Sequence, residues 1–139
     1  MAIAYTTIVE KVVEILNEGL PETIVVMEPD IVGANLSSEV GVSLGMEENS
    51  EEEIGSSNPY MVTLILDILC SEYSPDGVVE ASKLRDTLVG KVRDLLKGNR
   101  TLDALVLNTQ LGNTTFETSR GDSGYFCGAV MKLKVYLTA

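Results

Sequence analysis

The pattern of apolar and polar positions organises this chain around residues 60–70, YMVTLILDILC, in which every even position from Tyr60 to Cys70 is apolar or aromatic. The odd positions Met61, Thr63, Ile65, Asp67 and Leu69 are mixed. This period of two, with β-branched Val62, Thr63 and Ile65 inside it, predicts a central strand with one face buried and the other half covered. Asn58-Pro59 before it and Ser74-Pro75-Asp76-Gly77 after it leave no room for helix caps, which decides against a buried helix.

On either side the period changes. Over residues 5–18, Ile8, Val9, Val12, Val13, Ile15 and Leu16 share one arc of a helical wheel, and Glu10, Lys11, Glu14, Asn17 and Glu18 fill the other. Thr7 and Glu10 have the spacing of a capping box, and Gly19-Leu20-Pro21 reads as a glycine stop. A second amphipathic helix is predicted over 79–97, with Ala81, Leu84, Leu88, Val92, Leu95 and Leu96 on its apolar arc and Arg85 intruding beside Val92. Its Arg85 is expected either to snorkel at the edge of the core or to pair with an acidic neighbour across an interface.

The remaining segments alternate or run apolar over strand-like lengths. Residues 24–27 and 40–44 read as strands, and residues 125–138 as a long one with Tyr125, Cys127, Ala129, Met131, Leu133, Val135 and Leu137 on its apolar face. Lys132, Lys134 and Tyr136 occupy its other face, and Gly128 suggests a bulge or bend. Residues 104–111 and 114–118 flank Gly112-Asn113, a two-residue hairpin signal. Residues 46–58 hold Glu47, Glu48, Glu51, Glu52 and Glu53 with few apolar anchors, and an acidic loop, mobile in the isolated protein, is expected there. The fold class that follows is α+β: a single mixed or antiparallel sheet of five to six strands packed by two amphipathic helices.

Composition narrows the function more than the fold. A chain of 139 residues, 45% apolar and 22% charged, suits one domain that needs neither disulfide nor metal to hold its core. No apolar run reaches the length of a transmembrane helix, and the first residues carry no secretion signal, so neither membrane nor export is expected. Cys70 and Cys127 both fall inside apolar strands and are expected to be buried thiols. The net charge of −11 argues against a groove that grips nucleic acid. Its distribution is lopsided: residues 1–80 carry sixteen acids against Lys11 alone, residues 81–139 five acids against nine bases. If the fold keeps these halves apart, copies of the chain could meet acidic face to basic face, head to tail.

Candidate chemistry is sparse. There is no histidine, no Cys-x-x-Cys, no clustered metal ligands and no phosphate-binding glycine motif, so catalysis, a metal and a cofactor are all unexpected. Residues 41–45 match G-x-S-x-G, but without a histidine there is no triad base. Asp67 is the one acid inside an apolar run, and Arg120-Gly121-Asp122 is expected to be a turn.

The layout resembles the tail terminator proteins of long-tailed bacteriophages, the lambda tail terminator being the familiar case. The likeness spans nearly the whole chain. It rests on Val40-Gly41-Val42-Ser43-Leu44-Gly45 leading into the glutamates, on residues 60–70, on Pro75-Asp76 before the second helix, and on Leu102-Asp103-Ala104-Leu105. It continues through Phe116-Glu117-Thr118, the turn at Arg120-Gly121-Asp122 and the ending Met131-Lys132-Leu133-Lys134-Val135-Tyr136. The resemblance implies a virion protein that assembles in the host cytoplasm into a ring, commonly a hexamer. Such a ring caps the tail tube at its head-proximal end, stops elongation and offers a surface to the head-tail connector, while DNA passes through without sequence-specific binding. Head-closure and neck proteins of the same phages share similar α+β layouts, and a dimeric small-ligand or regulatory domain of the cytoplasm is the rival class. The family carries over no contact residues. On charge and exposure alone, the candidates for contacts between copies or with partners are Glu47, Glu48, Glu51, Glu52, Glu53, Arg85, Arg93, Arg120, Asp122, Lys132 and Lys134.

Overall fold

Residues 60–70 become the middle of a sheet. In the computed structural model, which describes residues 5–27, 38–53, 60–120 and 124–138, the elements are α1 (Tyr5–Gly19), β1 (Ile24–Met27), β2 (Glu39–Glu53), β3 (Tyr60–Ser74), α2 (Val78–Lys97), β4 (Asn108–Arg120) and β5 (Tyr125–Thr138). The five strands form one sheet in the order β1-β2-β3-β5-β4, with β3 at its centre. β1 runs parallel to β2, and the other neighbouring pairs are antiparallel, so the sheet is mixed and the fold α+β.

Alternation decides which side of the sheet is the core. Val62, Leu64, Leu66, Ile68 and Cys70 of β3 pack in one apolar cluster with Val40 and Val42 of β2 and Met131, Leu133, Val135 and Leu137 of β5. The same cluster takes in Ile8, Val9, Val12 and Leu16 of α1 and Leu88, Val92 and Leu96 of α2, so both helices cover one face. The arc predicted for α2 is shifted by part of a turn: Leu84 is exposed and Val89 is buried in its place. The Thr7–Glu10 capping box does not form, because α1 begins at Tyr5 and Thr7 already lies within it. At the start of α2, Gly77 takes φ 151 and supplies no side-chain cap.

Several strand assignments change, most of them through pairing with residues distant in sequence. Residues 46–53 are not a loop: β2 continues through them against β3, with Glu47 opposite Leu64, Glu48 opposite Thr63 and Glu53 opposite Tyr60. Gly45 is the extra residue of a bulge between Leu44 and Met46, where a β-carbon would come within 2.9 Å of the Ile65 carbonyl, so it carries the strand onward instead of ending it. The backbone groups of residues 60–64 find partners this way, and that requirement outweighs the low strand propensity of glutamate. The rest of the expected acidic loop, 54–59, lies outside the described residues.

Gly112-Asn113 is likewise no hairpin turn. Leu111 pairs with Leu133 and Thr114 with Met131 on the same strand, so the two residues together oppose Lys132 and form a bulge within β4. Residues 104–107 precede β4 as turns. Gly128 makes no bulge: it pairs in unbroken register with Ser71 on one side and Glu117 on the other.

Candidate functional site

The acidic and basic halves of the sequence end up on different edges of the sheet. β1 pairs only with Glu39, Val40, Gly41 and Val42 of β2, so the outer edge of β2 over residues 43–53 has no strand beside it among the described residues. Glu47, Glu48, Glu51, Glu52 and Glu53 are carried on that stretch, and their side chains lie outside the described residues. β4 forms the opposite edge.

Against β4 lies the basic face of α2. Arg85, Arg93 and Lys97 are spaced at eight and four residues, so they stack along one side of the helix, and Arg100 continues the line beyond its end. The Arg85 guanidinium stands 4.8 Å from the centre of the Phe116 ring on β4 and donates to Asp86 at 3.2 Å. Arg93 Nη1 donates to Thr114 Oγ1 at 3.3 Å, and Arg100 Nη2 to the Thr109 carbonyl at 3.5 Å.

Between Arg93, Lys97 and Arg100 on one wall and Thr109, Gln110 and Leu111 on the other lies a groove of about 380 Å³, floored by buried Leu96 and Leu133. No carboxylate lines it, and its three cations make no ion pair with any described residue. A hollow of about 270 Å³ beside α1 differs, since Lys11 there is bound by Asp103 at 2.7 Å and accompanied by Glu10 and Glu14. That bridge holds the Lys11 ammonium above its ordinary pKa. Among the described residues, the charge of the α2–β4 groove is not met by any ion pair.

The helix-free face holds the remaining predicted cations. Lys132 forms a cross-strand salt bridge with Asp67, which accounts for the one acid in the apolar run of β3. Lys134 sits in register between Ile65 and Gln110, and both lysines line a shallow hollow of about 350 Å³ together with Gln110 and Leu111. The same short piece of β4 is therefore flanked by lysines on one face and by α2 cations on the other. Arg120 is the last residue of β4, opposite Tyr125, and Asp122 lies outside the described residues.

Sequence reasoning chose Arg93 and passed over Lys97 and Arg100, although the spacing of 93, 97 and 100 was the available signal. It also passed over the two carboxylates that are buried among the described residues, Glu39 and Glu72. They face opposite sides of the sheet, since Glu39 pairs with Ser71 and Glu72 is the next residue along β3, so they do not form a catalytic pair. Glu72 accepts from Ser38 Oγ at 2.7 Å. Burial, with the Glu72 charge beside it, pushes the Cys70 thiol up to about 12, leaving it protonated and a poor nucleophile. No group of three or more metal-binding side chains occurs among the described residues, and no helix there is long and apolar enough to cross a membrane. What the geometry can do is bind an anionic surface. No protein-family model matches the chain, and no curated protein matches it.

Proposed function

We propose that this chain is the protomer of a ring that caps a phage tail tube, stops its elongation and offers a surface to the head-tail connector, as its resemblance to tail terminators implies. The observation that carries the reading is the one-sided build of the molecule. Both helices lie on one face of the sheet; the other carries buried Thr63 and Ile65 and presents Leu69, Val130 and Tyr136 half-buried beside the Lys132–Asp67 pair. A mostly antiparallel sheet can leave one face to water or to a partner, whereas parallel α/β enzymes cover both. A subunit that works by shape and charge needs such a face and no reactive group. DNA would then pass through the ring without sequence-specific binding, in keeping with a net charge of −11.

The test is particle mass. Light scattering from about micromolar to millimolar protein at physiological salt is expected to show growth from protomer to a closed ring, since obligate contacts follow mass action. The ring should bind purified tail tube ends. A monomer that persists to about millimolar concentration and ignores tail tubes would overturn the reading.

A further inference from the structure

We infer that neighbouring copies join head to tail through an electrostatic seam, the α2–β4 groove of one copy receiving the glutamate-bearing end of β2 from the next. This rests on the ring reading above and names the contact that a ring would use.

Three observations carry it. The first is charge. The groove is lined by Arg93, Lys97 and Arg100 with no carboxylate, and Lys132 and Lys134 flank the same piece of β4 from the other face. The sequence offers one dense acidic segment to match, five glutamates within residues 47–53. The second is edge availability, because among the described residues neither the outer edge of β4 nor that of β2 over 43–53 has a strand beside it.

The third is height. Thr109 of the groove pairs with Val135, Val135 with Leu64, and Leu64 with Glu47, so groove and acidic segment occupy the same rows across the sheet. They sit on opposite edges of the sheet three strand spacings apart, roughly 14 Å, so one chain cannot satisfy its own groove. A second copy displaced sideways can. β4 also runs antiparallel to β2, so the neighbour's β2 would lie along it in the orientation that most pairs of this sheet already use. Such a contact joins two different surfaces, and repeated around an axis it closes a ring.

The experiment uses two charge-reversed full-length chains. One carries Arg93→Glu, Lys97→Glu and Arg100→Glu; the other carries Glu51→Lys, Glu52→Lys and Glu53→Lys. Each alone brings like charges together, and its assembly midpoint is expected to move up by about a hundredfold or more, with circular dichroism unchanged. Mixed one to one, the two restore both kinds of complementary seam, and an alternating ring of wild-type mass is expected at wild-type concentrations. Lys97→Glu alone, on an exposed position, guards against misfolding and is expected to shift the midpoint roughly tenfold. Should wild type assemble and both reversed chains assemble equally well, the seam is wrong and the ring stands. Should wild type never assemble, the ring reading fails and the seam with it. A short DNA duplex and inorganic phosphate are titrated into dilute wild type in parallel. Saturable binding of either that the Arg93, Lys97 and Arg100 reversals abolish would assign the groove to a phosphate ligand and overturn the seam.

Discussion

Cys70 and Glu72 sit two residues apart on the covered face of β3, and burial, with the nearby Glu72 charge as the lesser cause, makes the thiol hard to ionise. The sign of the resulting pH dependence is fixed. An unfolded thiol titrates near 9.0, whereas the folded one stays protonated up to about 12. Above the lower value the unfolded chain binds fewer protons than the folded one, so stability present below it is lost as pH rises through this window. The slope approaches about 1.4 kcal/mol per pH unit, less whatever relaxation opens the site. Urea titrations of wild type and Cys70→Ala between about pH 8 and 11 should show the steeper loss in wild type. Equal slopes would mean that Cys70 is accessible to water. Lys11, held above its ordinary value by Asp103, adds a loss of the same sign at still higher pH in both proteins. The backbone near that bridge is unusual: Leu102, Asp103 and Ala104 all adopt positive φ, at 49°, 57° and 66°. Fully buried Leu102 and the Lys11–Asp103 contact hold this left-handed turn against a cost of roughly 1–2 kcal/mol per residue. Nothing in the types Leu, Asp and Ala announces it, because the strain is imposed by what the side chains reach.

At the scale of elements, legibility followed the range of the determining interaction. α1, α2, β3 and β5 were readable because each carries its own period against a single core, and the half-covered odd positions of β3 were visible in the same way. The acidic end of β2 was not, because its strand character comes from pairing with β3, and local charge spoke only of exposure. Gly112-Asn113 misled for a related reason: a Gly-Asn pair marks a turn only when the flanking runs pair with each other, and here both pair with β5. The bulge makes a prediction that a hairpin does not. Deleting Asn113 alone leaves Gly112 opposite Lys132 and keeps Leu111 and Thr114 on their present faces, so stability should change by no more than about 1 kcal/mol. Deleting both residues slips the register by one and turns either Leu111 or the 114–120 segment to the wrong face, at a cost of about 2–5 kcal/mol. Urea midpoints of the two deletions check this, and a severe loss from Asn113 alone would restore the hairpin. The groove was half legible. Its α2 wall is written in the spacing of Arg93, Lys97 and Arg100, but its β4 wall depended on the bulge and the sheet order.

For the whole molecule, two electrostatic terms of opposite sign act at different ranges, and salt can separate them. Each copy carries −11, so copies repel one another at long range. The proposed seam attracts at contact, where the cations of the α2–β4 groove would meet glutamates directly. Screening lengths are about 30 Å at 0.01 M salt, about 10 Å at 0.1 M and about 3 Å at 1 M. At the lowest salt the net repulsion reaches across a whole protomer and opposes association. Near 0.1 M it is largely confined to a layer thinner than the molecule, while pairs in contact are still felt. At 1 M the contact pairs weaken as well. Assembly by a charged seam on a strongly acidic protomer should therefore pass through an optimum as salt rises, with the midpoint concentration lowest near about 0.1–0.3 M. An apolar seam would instead strengthen steadily toward high salt, because burial of apolar surface does not depend on charge and excluded salts favour it. Sedimentation velocity across that range distinguishes the two curves, and a monotonic gain toward 1 M would place the contact between copies on the half-buried apolar residues of the helix-free face.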